Sequence, residues 1–289
     1  MNLTSLKLLV AGTTLAILPG APLAQAQTPP PSTPVSVTSQ PVSAPIAIAP
    51  PPTSFKNSLG LKFVSVPETG TLFCIYKTRV RDYASFASSM HREWKRPDFH
   101  QTENDPAVNV SWEDAIAFCG WLTQIEHQSK TLPADWKYRL PTDAEWSLAV
   151  GLPANDSNAS NIYPWGTDWP PPRGAGNYHP SLGVDSFAHT SPVGSFAANA
   201  FGLFDLGGNA WEWCMDSYNG SPDFRILRGA SWHLRNPGDL LSSERVGNQP
   251  DLHLDTYGFR CVIERPTPAP PVEVPTPVPA TSTNSAPVQ

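Results

Sequence analysis

The chain has no excess of positive charge. Its 19 lysines and arginines stand against 25 aspartates and glutamates in 289 residues, a net charge of −6. A nucleic-acid partner needs a basic face to displace counterions, so the balance argues against that function. Cysteine is scarce: Cys74, Cys119, Cys214 and Cys261 are all there is, and none sits in a Cys-x-x-Cys pair. A zinc knuckle or thioredoxin-type motif therefore has no support. The histidines (His91, His100, His127, His179, His189, His233 and His253) show no His-x-x-x-His spacing of the kind that holds a metal on one helix face. Long apolar runs are also missing. The best stretch, Leu8 to Leu18, is too short to span a bilayer comfortably.

Proline and tryptophan are plentiful. The 34 prolines concentrate at the two ends, and the 10 tryptophans all lie between Trp94 and Trp232. A core built from large, stiff side chains between two extended ends follows. Lys7, the apolar run and Ala24-Gln25-Ala26 read as an export signal over residues 1–26, with cleavage before Gln27. No cysteine stands directly after the cleavage point, which argues against a lipid anchor. Residues 27–54 are a Pro-rich spacer, 55–264 the folded domain and 265–289 a Pro-rich tail, both ends lacking a periodic apolar face. The expected location is the periplasm or the exterior, with no membrane span once the signal is removed. The expected state is a monomer.

Within the domain, Leu61–Val66 and Thr71–Tyr76 predict strands. Asp82 predicts the cap of a helix whose buried face is Tyr83, Phe86, Ala87 and Met90. Ser111 and Asp114 form a capping box before a helix with Ala115, Phe118, Cys119 and Leu122 on one face; Thr142 and Glu145 repeat the device before a short helix that Gly151 stops. The segment 155–198 is loop-rich, and so long an irregular stretch in a compact domain points to function or to ion binding. Arg225–Trp232 reads as a strand entering a turn, and Tyr257–Ile263 as a closing strand.

The stretch Phe201–Cys214 is apolar on both sides of Gly207-Gly208-Asn209, residues that tolerate positive φ, and reads as a tight turn in a buried hairpin or bulge. Asp205 and Glu212, with the carbonyls of Gly208 and Ala210, offer the oxygen ligands a hard cation such as Ca²⁺ takes. The competing reading is that Asp205 only begins a turn and Glu212 faces water. The four cysteines allow three pairings, and spacing does not choose among them.

Seven phrases in order resemble the formylglycine-generating enzyme, or sulfatase-modifying factor, family. They are Asn109-Val-Ser-Trp-Glu-Asp-Ala, Arg139-Leu-Pro-Thr-Asp-Ala-Glu-Trp, Tyr163-Pro-Trp-Gly, Ser191-Pro-Val-Gly-Ser-Phe, Phe201 to Trp213, Arg228-Gly-Ala-Ser-Trp and Tyr257-Gly-Phe-Arg-Cys. The resemblance implies an α+β, loop-rich, calcium-stabilised variant of the C-type-lectin-like fold. It implies two calcium sites. One takes Asp205, Gly208, Ala210 and Glu212; the other takes Asn177, Asp185 and the carbonyls of Tyr178 and Phe187. It also implies a Cys119–Cys261 disulfide, which leaves Cys74–Cys214 by exclusion.

The family's oxidases are similar in carrying two cysteines after the Arg-Gly-x-Ser turn, which bind copper(I), a soft ion that wants thiolates. Here those positions carry Leu234 and a residue at or near Asp239, so no copper is expected. The surface beside the turn is a peptide groove in the family. It maps here to Trp211, Ser231, Trp232, Arg235, Glu244 and Arg245, with Ser231, His233 and Asp239 as candidates for any remaining catalysis. A His233–Asp239 acid–base pair is one reading; a binding floor for a peptide or glycan is another; core tryptophans with ordinary surface charges are the third. The function expected is an exported binding or scaffold module. A divergent oxidoreductase or maturation enzyme acting on peptides in the periplasm is the alternative. A sulfatase-activating oxidase using other residues ranks last, because thiolate chemistry needs thiolates.

Overall fold

The computed structural model describes residues 54–265. The expected signal segment 1–26, the spacer up to residue 53 and the tail from residue 266 lie outside the described residues. No helix among the described residues is long and apolar enough to cross a membrane.

Two sheets and three α-helices carry the fold. Strands β1 (Ser54–Lys56), β2 (Lys62–Ser65) and β3 (Leu72–Cys74) form a meander. Helices α1 (Val80–Ser89) and α2 (Trp112–Gln128) follow, then β4 (Lys137–Arg139) and α3 (Asp143–Val150). The long segment after α3 holds one 3₁₀ turn, Pro180–Leu182, as its loop-rich sequence predicts. The second half supplies β5 (Trp211–Ser217), β6 (Arg225–Arg228), β7 (Val246–Asn248), β8 (Tyr257–Gly258) and β9 (Val262–Glu264). One sheet runs β1-β2-β3-β9-β4, antiparallel throughout; the other runs β7-β6-β5-β8, with β5 and β8 parallel.

Strands β3 and β9 are apolar on both faces. Leu72, Cys74 and Ile263 point into a core shared with α1 and α2, while Phe73 and Val262 point into a second core shared with Trp146, Leu206, Cys214 and Ile226. Period-two alternation sends neighbouring side chains to opposite faces, so a strand covered on both sides must be apolar throughout. In the first core Tyr83, Phe86, Phe118, Trp121 and Phe259 pack, mostly edge-on or tilted, with ring centroids 5.3–6.3 Å apart.

The helix starts follow local chemistry. Ser111 accepts from the Asp114 N–H and Asp114 accepts from the Ser111 N–H; Thr142 and Glu145 exchange the same pair of bonds. Gly151 ends α3 at φ 97°. Three expectations need correction. Helix α1 begins three residues earlier than an Asp82 cap implies, with its cap at Arg79. Asp82 is the third helical residue, and its carboxylate reaches back to the Arg79 N–H at 3.1 Å and the Arg79 Nε at 2.7 Å. Met90 leaves the buried face and is 51% exposed at the helix end. Phe201–Cys214 is not a hairpin: only its last four residues, Trp211–Cys214, are strand, and the Phe204 N–H bonds the Ile75 carbonyl.

The predicted closing strand is two strands. Tyr257–Gly258 belongs to the four-stranded sheet, Val262–Glu264 to the five-stranded one, and Phe259-Arg260-Cys261 crosses between them. As a test of the capping account, Ser111→Ala is expected to cost about 1 kcal/mol, read as a lower urea midpoint with an unchanged m-value.

Candidate functional site

Glu212 is the second residue of β5, paired with Arg228 on β6 and Gly258 on β8, and it is fully buried. A carboxylate there needs charged partners. Lys77, just past β3, donates to Oε1 at 2.6 Å, and Arg260, on the crossing between the sheets, donates to both oxygens at 2.8–3.2 Å. The Trp146 indole donates to Oε2 at 3.0 Å. The rest of the Arg260 guanidinium serves the carbonyls of Cys74, Ile75 and Phe204. Burial alone would raise the Glu212 carboxyl, but the Arg260 and Lys77 cations outweigh it and hold it at about 2. Burial pushes Lys77 down, against the pull of Glu212.

The turn before β5 is pinned by amides. Asp205, Gly208 and Asn209 all have positive φ. Gly208 has no room for a side chain, since a Cβ would meet the Asn177 carbonyl at 2.3 Å. Asn209 exchanges two side-chain bonds with the Ser191 backbone, and its own N–H donates to the Asn177 carbonyl. Asp205 accepts from the Gly194 N–H at 2.7 Å; burial raises its carboxyl, opposed by that bond and by the charges of Lys77 and Arg260.

The two expected calcium sites therefore differ. At the first, the two Glu212 oxygens accept five hydrogen bonds, four of them from the Lys77 and Arg260 cations, so the donor set does not fit Ca²⁺. At the second, the Asn177 Oδ1 is buried without a partner. Asp185 accepts from the Tyr178 N–H at 3.1 Å and the Phe187 N–H at 2.8 Å, which gathers these residues into one loop. Among the described residues neither the Tyr178 nor the Phe187 carbonyl accepts a hydrogen bond. That all-oxygen set fits a hard cation.

The expected groove is only partly assembled. Trp211 is buried in the core. Arg245 is tied to Asp143 by Nε at 2.8 and 3.0 Å, beside the buried Arg228, which also pairs with Asp143. The Glu244 carbonyl accepts from Arg228, and burial raises its carboxyl. These charges anchor the loop 239–245 on α3 instead of lining a groove. Asp239 accepts from Asn236 at 2.8 Å, and no hydrogen bond joins it to His233 among the described residues. Ser231 is buried with its Oγ unpartnered.

What remains is a strip. Trp232 packs edge-on against Phe99, His189 and His233, and Phe99 stacks on His189 at 4.3 Å. Next to it His179, His233, Leu234, Arg235 and Asn236 line a pocket of about 320 Å³. Sequence reading missed Phe99, His179 and His189. The one signal for the histidines is that His179 lies within the Asn177–Phe187 loop and His189 just after it.

Copper(I) does not fit here, because Leu234 and Asp239 offer no thiolate and all four cysteines are buried elsewhere as free thiols. The Cys119 and Cys261 sulfurs lie 3.6 Å apart, adjacent but unbonded. Cys74 and Cys214 sit in different cores, so the pairing by exclusion is not formed. Burial pushes the Cys74 thiol up to about 12.

Two small sheets joined at a buried Glu–Lys–Arg cluster, with a turn-borne strip beside them, make a mixed, sheet-rich α+β domain. Residues 63–265 match the model for the sulfatase-modifying factor enzyme 1-like domain, and the chain belongs to that family. It is 37% identical over 166 residues to the inactive C-alpha-formylglycine-generating enzyme 2 of Bos taurus, covering 54% of this chain and 49% of the relative. It is 30% identical over 204 residues to the formylglycine-generating enzyme of Thermomonospora curvata, covering 59% and 61%. The chain thus spans about half to three fifths of the length of these relatives. Among solved structures, PvdO from Pseudomonas aeruginosa superposes with a TM-score of 0.59 at 22% identity, over 75% of this chain and 100% of that one. Treponema denticola variable protein 1 gives 0.54 at 17%, over 74% and 99%.

The depressed Glu212 carboxyl fixes a pH response. An unfolded glutamate near 4.5 takes up a proton before the native one near 2 does. The stabilisation is complete above about pH 5 and is lost as pH falls towards 2. Glu212→Gln is expected to flatten the acid limb of a melting-temperature profile. It also lowers stability at pH 7 by about 3–5 kcal/mol, because two buried cations lose their counter-charge.

Proposed function

We propose that this chain is a formylglycine-generating-enzyme-type domain that has given up the copper oxidase chemistry and works as an exported binding or scaffold module. The observation that carries the reading is the Leu234 and Asp239 replacement, with every cysteine buried away from the strip. Its similarity to relatives named inactive accords with this. The fold is read as the C-type-lectin-like variant, with one Ca²⁺ at Asn177, Asp185 and the carbonyls of Tyr178 and Phe187.

Trp232, flanked by Phe99 and His189, offers an aromatic floor, and Arg235 offers charge at its edge. Such a surface suits a peptide or glycan, whose apolar faces stack while polar groups orient. A divergent periplasmic oxidoreductase or maturation enzyme acting on peptides is the second reading. It rests on the rings of His179 and His233, 6.0 Å apart in the pocket.

Peptide and glycan arrays test the binding role. Specific retention that Trp232→Ala weakens at least tenfold, with an unchanged melting temperature, is expected. Retention on nothing would count against it. A Cys-x-Pro-x-Arg peptide is expected to leave the protein unaltered; a mass loss matching an aldehyde would restore the oxidase. For calcium, a chelator is expected to lower the melting temperature of the wild type and to leave Asp185→Asn unmoved.

A further inference from the structure

We infer that the turn at Glu212 is closed by an internal cation, the Lys77 ammonium, in the position where the family resemblance places an ion. The inference does not rest on the binding role or on calcium at Asp185. It starts from lone pairs. Calcium takes six to eight oxygens at about 2.3–2.6 Å, and Glu212 would have to lend it one or two. Those oxygens already receive Lys77 Nζ at 2.6 Å, Arg260 Nε and Nη2 at 2.8–3.2 Å, and the Trp146 indole at 3.0 Å. The Lys77 and Glu212 side chains have no exposure, so neither swings out to water to make room.

The charge count agrees. Lys77 and Arg260 are positive, Glu212 is negative, and Asp205 adds a second negative when ionised, which leaves the cluster neutral. A dication would add two uncompensated charges to a site closed to water, where desolvation opposes it. An ammonium is also a compact donor on a flexible stem, suited to replacing a small ion. The turn does not need an ion for its shape. Asn209 bonds Ser191 in both directions, and its carbonyl accepts the Trp232 N–H, which fixes the strip against the turn.

Lys77 therefore makes this half of the fold metal-independent by covalent connection: the charge cannot dissociate or be chelated. The change that reverses it is removal of the ammonium. Lys77→Met leaves Glu212 and Asp205 with a vacated cation position and is expected to create a calcium site.

The experiment measures bound calcium and melting temperature in calcium and in chelator. Wild type is expected to carry no more than one equivalent, lost in Asp185→Asn. Lys77→Met is expected to melt lower in chelator and to regain several degrees in millimolar calcium but not in magnesium. Lys77→Arg, which keeps a cation, is expected to show no such recovery. Two equivalents in the wild type overturn the inference, as does one that survives Asp185→Asn and is lost in Asp205→Asn. A wild type with no calcium removes the Asp185 site while supporting the Lys77 assignment. If Lys77→Met does not fold in chelator, folding in calcium still supports it, and failure in both with two equivalents in the wild type overturns it.

Discussion

The fold hangs on one buried carboxylate. Glu212 belongs to the four-stranded sheet, Lys77 follows a strand of the five-stranded sheet, and Arg260 lies on the segment that passes between them. The same guanidinium also donates to the main-chain carbonyls of Cys74, Ile75 and Phe204. A charged network of this kind is costly to bury and more costly to leave incomplete. It therefore ties the relative placement of the sheets to a set of bonds that must be made together.

That placement positions the strip. The Arg228–Gly229–Ala230 turn follows a strand paired with β5, and the Trp232 N–H bonds the Asn209 carbonyl of the turn that precedes β5. The surface most suited to a ligand is thus hydrogen-bonded to the turn that leads into the strand of Glu212. Arg228 and Arg245 hold the following loop through Asp143, the first residue of α3. Charged residues that look like groove material in sequence here spend themselves on the scaffold.

What the sequence made legible was local. Ser111, Thr142 and their acidic partners announce their helices because the capping bonds span three residues. Family phrases placed the turns correctly, and the pattern of loop oxygens at Asn177 and Asp185 is coherent in the structure. What stayed hidden was long-range. Glu212 finds Lys77 135 residues away and Arg260 48 residues away, so nothing near Glu212 distinguishes an ion ligand from an ion-pair centre. Trp211 and Arg245 were misplaced for the same reason: burial and partners are properties of the assembled sheets. The Phe201–Cys214 misreading has a different cause. An apolar segment that packs into the second core without pairing, as Phe201–Leu206 does, looks in composition like a strand.

The crossing at Phe259-Arg260-Cys261 also has a temporal meaning. β9 sits between β3 and β4, so the five-stranded sheet lacks its middle until the last described strand arrives. Arg260 caps the Cys74 carbonyl across 186 residues of chain. During synthesis the N-terminal meander, α1 and α2 leave the ribosome with an open sheet edge and an uncompensated Lys77. Order then comes late and all at once, when one short segment supplies both the missing strand and the second cation. Such a topology favours slow, cooperative closure over stepwise growth, and it exposes the free edge of β3 to wrong partners in the interval.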